Sequence, residues 1–259
     1  MIVSLFLLFC FGLCIGSFLG VLICRIPQNK SIVKGRSYCE NCKKTLSFID
    51  LIPLLSFFFL KGKCRYCGIR LSLYYPLIEL TTGLLFLFTF LHFGIRNPEL
   101  GIMGILEPLY LFLIISSLIV VFFIDLQHGI IPDVIIFPAT VISILYLLII
   151  HNSLFLTHLL SGLGAFLLFY LLFALTKGRG MGFGDVKLTL FMGLFLGFPN
   201  ILVALYIAFL TGAVISIILI VAGKKKFKGG TIPFGPFLVI GTMLALFWGE
   251  KLLSILKLF

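Results

Sequence analysis

Two aspartates stand where a charge is costly, because each adjoins a long apolar run. Asp185 ends a Gly-Phe-Gly-Asp stretch between two apolar segments, and Asp125 ends the apolar run that begins at Leu109. An ionisable residue at membrane depth is a candidate functional group by default. Two neighbouring carboxylates can share one proton, so that one activates a water molecule while the other donates to a scissile carbonyl. The pair predicts aspartic-protease chemistry, in which either aspartate can be the base.

Asp133 is a competing partner for Asp185. Gly129 and Pro132 separate it from Asp125, which argues against one continuous helix and favours a new helix that starts near Asp133. A carboxylate at a helix start is stabilised by free backbone amides and by the helix dipole. We favour this structural role for Asp133, with the orientation of water or substrate as the alternative. Asp125 has no such role and is the preferred partner.

Alternating glycines precede Asp185. Because a glycine has no Cβ, another backbone can approach it closely, so a substrate strand could lie against this segment. A phosphate-binding loop is a weaker alternative, since an acidic residue would repel phosphate. A third interpretation is that these glycines serve helix packing or form a flexible turn. The glycines stand at positions 178, 180, 182 and 184, and we single out Gly182 and Gly184 as supporting residues.

Four cysteines form two Cys-x-x-Cys pairs, and 21 residues separate the pairs, which are Cys39 with Cys42 and Cys64 with Cys67. Tetrahedral zinc binds four thiolates, and a complete ligand set makes such a site structural rather than catalytic. The polar segment that carries them is too short to fold on an apolar core alone, so a metal would stabilise it. Disulfides or redox thiols are the alternative, and a reducing cytoplasm disfavours them.

The elements that must position these residues are membrane helices. Hydrophobic residues make up 61% of the chain, charged residues 11%, and the mean hydropathy is +1.25, which excludes an ordinary soluble domain. A helix needs about 20 apolar residues to cross a bilayer. The sequence therefore predicts an all-α polytopic membrane protein with about eight transmembrane helices, the sixth of them short, at 1–24, 73–93, 105–124, 134–150, 154–176, 186–198, 200–222 and 234–250.

The basic residues orient these spans. Of 20 Lys and Arg residues, all but Arg96, Lys251 and Lys257 fall on one predicted side, which is therefore cytoplasmic. Two spans separate Asp125 from Asp185, so both are expected at the cytoplasmic face. The net charge of +11 reflects orientation and contact with anionic lipid, and no nucleic acid is required to explain it.

The predicted domains follow from this layout. Residues 1–24 form the first transmembrane helix, residues 25–72 a small cytoplasmic zinc-binding loop domain, and residues 73–259 a seven-helix membrane core. The sequence predicts no particular oligomeric state.

Several motifs, in one order along the chain, resemble those of the type IV prepilin peptidases, a family of membrane aspartic proteases with a Gly-x-Gly-Asp motif. The resemblance covers nearly the whole chain, although Gly20 and Leu51 stand where the family usually has Asn. The matching segments are 16–27, 50–56 between the two cysteine pairs, 123–125 with 131–133, 180–187 and 232–236.

The resemblance implies an enzyme of the bacterial inner membrane. Such an enzyme cleaves the basic leader from type IV prepilins and pseudopilin precursors at the cytoplasmic face, with Asp125 and Asp185 as the catalytic pair. It then N-methylates the new N-terminal residue with S-adenosylmethionine as the methyl donor. Lys187 lies in the same motif as Asp185, and we include it as a supporting residue of the site.

Glu79 is a further acid inside a predicted span. It could bind a cation or take a proton from the amine during methylation. A hydrogen bond at a helix end, or an ion pair with a loop Arg or Lys, is the favoured alternative. A proton-coupled transporter is the competing function, because intramembrane carboxylates also serve as proton relays. Relays favour the membrane midplane, whereas Asp125, Asp133 and Asp185 are all expected at its cytoplasmic edge.

Overall fold

The computed structural model describes residues 2–94, 102–223 and 232–256, and these contain helices and turns but no strand. Arg96, Lys257 and the basic residues of segment 224–228, which helped to orient the chain, lie outside the described residues. The α-helices in the described part are α1 (Ile2–Arg25), α2 (Leu55–Phe59), α3 (Tyr74–Thr89), α4 (Ile102–His128), α5 (Asp133–Ile149), α6 (Asn152–Leu175), α7 (Phe183–Leu196), α8 (Asn200–Val221) and α9 (Gly235–Leu256).

Six of the described helices are long and apolar enough to cross a membrane, which agrees with a multi-pass membrane protein. They are α1, α3, α4, α6, α8 and α9. The predicted fourth and sixth spans are the shorter helices α5, with 17 residues, and α7, with 14. Eight spans are therefore not supported by length and composition. Helix α7 would extend only about 21 Å along its axis, less than the roughly 30 Å of a bilayer core.

The chain divides into two compact units, Met1–Val120 and Val121–Phe259. In the first, α1 packs against α3 through small residues. A Cβ atom at Gly12 would lie 2.8 Å from Cα of Gly83, and one at Gly16 would lie 2.7 Å from Cα of Glu79. Real Cβ atoms are not found so close to backbone, so the spacing of four between these glycines lets the helices touch.

The polar loop between α1 and α3 belongs to the same unit and contains short 3₁₀ turns, α2 and two isolated β-bridges. The Arg25 guanidinium, at the end of α1, donates to the carbonyl oxygens of Ser31 at 2.9 Å and of Lys34 at 3.1 Å. These bonds fold the start of the loop back towards α1. The loop domain predicted at residues 25–72 thus lies inside the first unit.

In the second unit, α7 is the central helix. Its side chains from Asp185 to Leu196 are mostly buried, and Val186, Leu188 and Phe191 are completely so. A helix that is apolar around its whole circumference is expected to be surrounded by other helices. The short length of α7 thus coincides with its position in the core of the unit, and it brings Asp185 to one end of that core.

Candidate functional site

Asp125 lies in the last turn of α4. The helix ends at His128, and Gly129 follows with φ of +66° and donates its amide to the Asp125 carbonyl at 2.8 Å. This left-handed residue suits glycine and turns the chain towards α5. The Asp125 side chain is only 4% exposed, and its buried Oδ2 makes no hydrogen bond of good geometry within the described part of the chain.

Asp185 lies in the first turn of α7 and helps to start that helix. Its amide donates to the Gly182 carbonyl, and the Gly182 amide donates to Asp185 Oδ2, both at 3.2 Å. These reciprocal bonds satisfy amides that a helix start would otherwise leave free. They also hold the carboxylate in one direction. The side chain is 7% exposed.

Asp125 and Asp185 belong to the same compact unit, and their buried carboxylates lie near enough for the charge of Asp125 to act on Asp185. Asp125 also lies against Gly235 at the start of α9, where a Cβ would stand 2.5 Å from Oδ2. Two acids this close in a buried setting favour the state in which they share one proton. The arrangement can therefore supply a base and an acid to one reacting group.

The glycines ahead of Asp185 have different surroundings. A Cβ at Gly184 would lie 3.0 Å from the Ile131 side chain, whereas one at Gly182 would come no closer than 3.4 Å to any atom, the nearest being Oδ2 of Asp185. Contact with Ile131 therefore explains Gly184, whereas Gly182 is exposed to solvent beside the buried carboxylate. Gly235 was not singled out from the sequence, although it lies in a motif segment. Its Pro-Phe-Gly-Pro context was the available signal.

Asp133 is the first residue of α5, and it pairs with Lys187 of α7. Lys187 Nζ donates to both carboxylate oxygens, at 2.7 and 2.9 Å, and it also lies 5.2 Å from the ring centre of Phe183. The Asp133 side chain is 52% exposed, in contrast to the buried Asp125 and Asp185. The pair joins the start of α5 to α7 and leaves Asp133 with a cationic partner.

The four cysteines of the loop converge. Their Sγ atoms all lie within 4.8 Å of one another. The two pairs fold into matching turns, in which Lys43 donates its amide to the Cys39 carbonyl at 2.8 Å and Gly68 donates to the Cys64 carbonyl at 2.9 Å. Lys43 and Gly68 both have positive φ. The cluster could hold a metal ion, because four thiolates at such separations match a tetrahedral ligand set.

Backbone amides make two of these sulfurs, those of Cys67 and Cys39, better ligands, whereas the neighbouring Cys39 and Cys67 thiols help to raise the pKa of Cys42 to about 11. The Ile69 amide and the Asn41 side chain donate to Cys67, and they lower the pKa of its thiol to about 6. The Cys42 amide lowers the pKa of Cys39 against the opposing effect of burial. Several thiolates this close repel one another unless a cation lies between them, so this donor set fits a divalent metal.

Glu79 lies in α3 and is half-buried. Its Oε2 accepts a hydrogen bond of 2.8 Å from the amide of Leu54 in the loop. Within the described residues no Lys or Arg forms an ion pair with it. Glu79 belongs to the first compact unit, whereas Asp125, Asp133, Asp185 and Lys187 belong to the second.

Comparison with known proteins gives the chain its relatives. Residues 10–93 match the model of the bacterial peptidase A24 N-terminal domain, and residues 112–217 match that of the type IV leader peptidase family. No solved structure is a significant match.

Curated relatives of the chain carry the name prepilin leader peptidase/N-methyltransferase. The Bacillus subtilis protein is 36% identical over 96% of both chains. The Legionella pneumophila protein is 32% identical over 94% of this chain and 91% of its own, and the Pseudomonas aeruginosa protein is 30% identical over 93% and 89%. Since similarity at this level extends over nearly the full length, the chain belongs to the type IV leader peptidase family.

Proposed function

We propose that this protein cleaves the leader peptide from type IV prepilins and pseudopilin precursors and then N-methylates the new N-terminal residue. The buried pair of Asp125 and Asp185 is the observation that carries this proposal. Both residues lie inside segment 112–217, which matches the leader peptidase family. The names of the relatives support both activities. A proton-coupled transporter is not favoured.

Cleavage uses the two carboxylates in different protonation states. The ionised aspartate takes a proton from water, and the water oxygen attacks the scissile carbonyl carbon while the protonated aspartate donates to the carbonyl oxygen. The proton taken from water then passes to the leaving amine as the C–N bond breaks, and one hydroxyl proton of the tetrahedral intermediate returns to the aspartate that had protonated the carbonyl. The exposure of Gly182, whose amide contacts the Asp185 carboxylate, supports access of an extended substrate there.

The active site faces the cytoplasm of the bacterial inner membrane in this proposal. The distribution of Lys and Arg along the sequence supports that orientation. Asp125 ends α4 and Asp185 begins α7, and α5 with α6 must return the chain to the same depth because the carboxylates meet. This return supports α5 and α6 as two consecutive crossings, although α5 has only 17 residues. Eight crossings, with the short α7 as the sixth, remain part of this proposal.

Zinc is the metal that we propose for the cysteine cluster. Cys39, Cys42, Cys64 and Cys67 would hold it with a closed shell, so it would crosslink the two turns and neutralise their thiolates. A structural role is supported because all four donors are sulfur and no further ligand is needed. S-adenosylmethionine is the proposed methyl donor, since the relatives are named as N-methyltransferases.

The direct test is to reconstitute the full chain in lipid vesicles with a type IV prepilin and to measure the intact mass of the pilin. Loss of the leader and gain of one methyl group are expected when S-adenosylmethionine is added, and loss of the leader alone without it. Asp185→Asn is the matched inactive control. An unchanged prepilin with the unaltered chain would refute the proposal.

A further inference from the structure

The first compact unit contains a cavity of about 610 Å³. Its wall combines the glycine face of α1 at Gly16 and Gly20, the start of α3 at Tyr75 and Glu79, and the cysteine turns of the loop. Cavities that bind small molecules have volumes of roughly 300–1,000 Å³ and carry a few polar groups in apolar walls. The cavity is thus large enough for a nucleoside-sized ligand.

Glu79 is held in the wall of this cavity by an unusual backbone conformation. Leu54 has φ of +58° and ψ of −50°, and the Leu55 amide donates to the Pro53 carbonyl at 2.6 Å, which defines a γ-turn centred on Leu54. Residues with side chains adopt this conformation rarely, and such strained residues cluster at functional sites. The turn directs the Leu54 amide onto Glu79 Oε2 at 2.8 Å.

Glu79 differs from the other carboxylates that line the cavity. Asp50 has a cationic partner in Arg65, whose Nε lies 2.8 Å from Oδ1. Glu40 accepts a hydrogen bond of 3.2 Å from Cys24. In the described part of the chain, Glu79 instead accepts hydrogen bonds from an amide and from the neighbouring Ser17 hydroxyl, both neutral. No ion pair in the described part of the chain therefore occupies the Glu79 carboxylate.

The family matches point to the same region by a separate route. The relatives have two activities in their names, and this chain matches two family models. Both aspartates of the proposed peptidase pair fall in segment 112–217. Every residue that lines the cavity lies between Gly16 and Glu79, inside the other matched segment, 10–93. Segment 10–93 is therefore the matched segment that remains to account for methylation, the second activity in the relatives' names.

We propose that this cavity binds S-adenosylmethionine together with the newly exposed N-terminal amine, and that Glu79 accepts the proton that the amine must lose. This inference rests on the proposed function. The aromatic ring of Tyr75 offers a surface for a purine or a sulfonium cation. The basic Arg70 offers a partner for the donor's carboxylate. Both residues line the cavity with Glu79.

The reaction balances with these groups. The N-terminal ammonium gives one proton to the Glu79 carboxylate and becomes a neutral amine. Its lone pair then forms a bond to the methyl carbon as the carbon–sulfur bond breaks, and that electron pair stays on the sulfur, which becomes a neutral thioether. The product is an N-methylammonium, and Glu79 returns its proton to water. An amine must be deprotonated to act as a nucleophile, which is why a carboxylate is needed beside it.

A larger side chain at position 20 would block the cavity without separating α1 from α3. A Cβ there would lie 3.7 Å from Tyr75 Cδ1, an ordinary contact, whereas a Cβ at Gly16 would clash with backbone. In Gly20→Leu the added side chain would enter the cavity. Gly164→Leu on α6 is the matched control, because it makes the same change in a membrane helix where nothing lies within 4 Å of the added Cβ.

The binding test uses the full chain in detergent, with radiolabelled S-adenosylmethionine measured by equilibrium dialysis and crosslinked by ultraviolet light. The crosslinked label should map to peptides between residues 16 and 79. Gly20→Leu should weaken binding by about tenfold or more, and Gly164→Leu should bind normally. Label that maps to residues 121–256, or normal binding by Gly20→Leu, would overturn the cavity assignment.

The proton-accepting role needs a different measurement, because Glu79→Gln keeps an oxygen for the Leu54 amide but loses the charge. Methylation by this variant should fall by at least about tenfold near neutral pH and rise with pH up to the amine pKa of about 8, as solvent removes the proton instead. An unchanged rate and profile would refute the role. Cleavage without methylation by the unaltered chain would instead refute the proposed methyltransferase activity itself.

Discussion

A Cβ atom at Gly235 would lie 2.5 Å from Oδ2 of Asp125, so the start of α9 can close over this carboxylate only because residue 235 is glycine. No real Cβ tolerates that distance to an oxygen. The contact limits where the Asp125 side chain can lie, and it makes a residue with no chemistry of its own part of the proposed active site.

Gly235→Ala should therefore reduce prepilin cleavage by about a hundredfold, because a displacement of about 1 Å in a catalytic group costs that much. The measurement is the initial cleavage rate of purified variants, with helix content checked by circular dichroism. Gly164→Ala, where nothing lies within 4 Å of the added Cβ, is the matched control and should retain normal activity. Normal cleavage by Gly235→Ala would contradict the close contact.

Asp125→Asn and Asp185→Asn should each lower cleavage by roughly 10³-fold or more, which is the scale of loss when a member of a catalytic group is removed. A neutral amide cannot take a proton from water, and it cannot share one with the remaining acid. Cleavage is followed by gel mobility of the pilin, and insertion of each variant is checked by membrane fractionation. Substantial activity in either variant would eliminate the pair as the catalytic centre.

Some features of this structure were accessible from the sequence because they depend on local rules. The two Cys-x-x-Cys turns are local, and their spacing alone predicted the cluster that the structure forms. Counting spans also predicted that Asp125 and Asp185 lie on one side. The contacts of Gly235 with Asp125 and of Leu54 with Glu79 were not predictable, because each joins segments far apart in sequence. The short apolar run that forms α7 was visible in the sequence. Its burial at the centre of the unit was not, because that depends on the helices packed around it.

The ion pair of Asp133 and Lys187 should act as one unit. Asp133→Asn and Lys187→Met should each reduce cleavage by about threefold to tenfold, and the double variant should be no worse than either single one, because all three lose the same link between α5 and α7. Because the ion pair is partly exposed, its contribution to the free energy of unfolding is expected to be less than about 1 kcal/mol. Complete loss of cleavage in Asp133→Asn, with Lys187→Met near normal, would instead make Asp133 a catalytic partner.

The purified chain should contain about one zinc per molecule when chelators are omitted, as four thiolates in a closed shell require. Cys39→Ser combined with Cys64→Ser should remove the metal, make the loop more sensitive to protease and reduce methylation more than cleavage. Cys10→Ser combined with Cys14→Ser is the control, since these cysteines lie outside the cluster. Equal zinc content by elemental analysis in the two double variants would exclude the cysteine site.

The acid sensitivity of the loop should depend on Asp50, which holds it together through several donors. Its Oδ2 accepts hydrogen bonds from the Ser47 amide at 3.0 Å, the Ser47 hydroxyl at 2.7 Å and the Tyr66 hydroxyl at 3.2 Å. Arg65 lies 2.8 Å from Oδ1, an ion pair by distance although not an aligned hydrogen bond. Burial alone would raise the pKa of Asp50, but these partners outweigh it and hold the pKa below its usual value.

Because the folded pKa of Asp50 is lowered, its stabilisation should be fully present above the unfolded value of about 3.9 and should disappear as the pH falls through the folded pKa. Asp50→Asn should therefore loosen the loop at neutral pH, and its difference from the unaltered chain should shrink below about pH 4. Hydrogen exchange of residues 26–72, normalised to an unstructured peptide at each pH, measures this. Loss of zinc in acid affects both chains alike, so their difference isolates Asp50. A difference that stays constant with pH would mean that the Asp50 charge does not stabilise the loop.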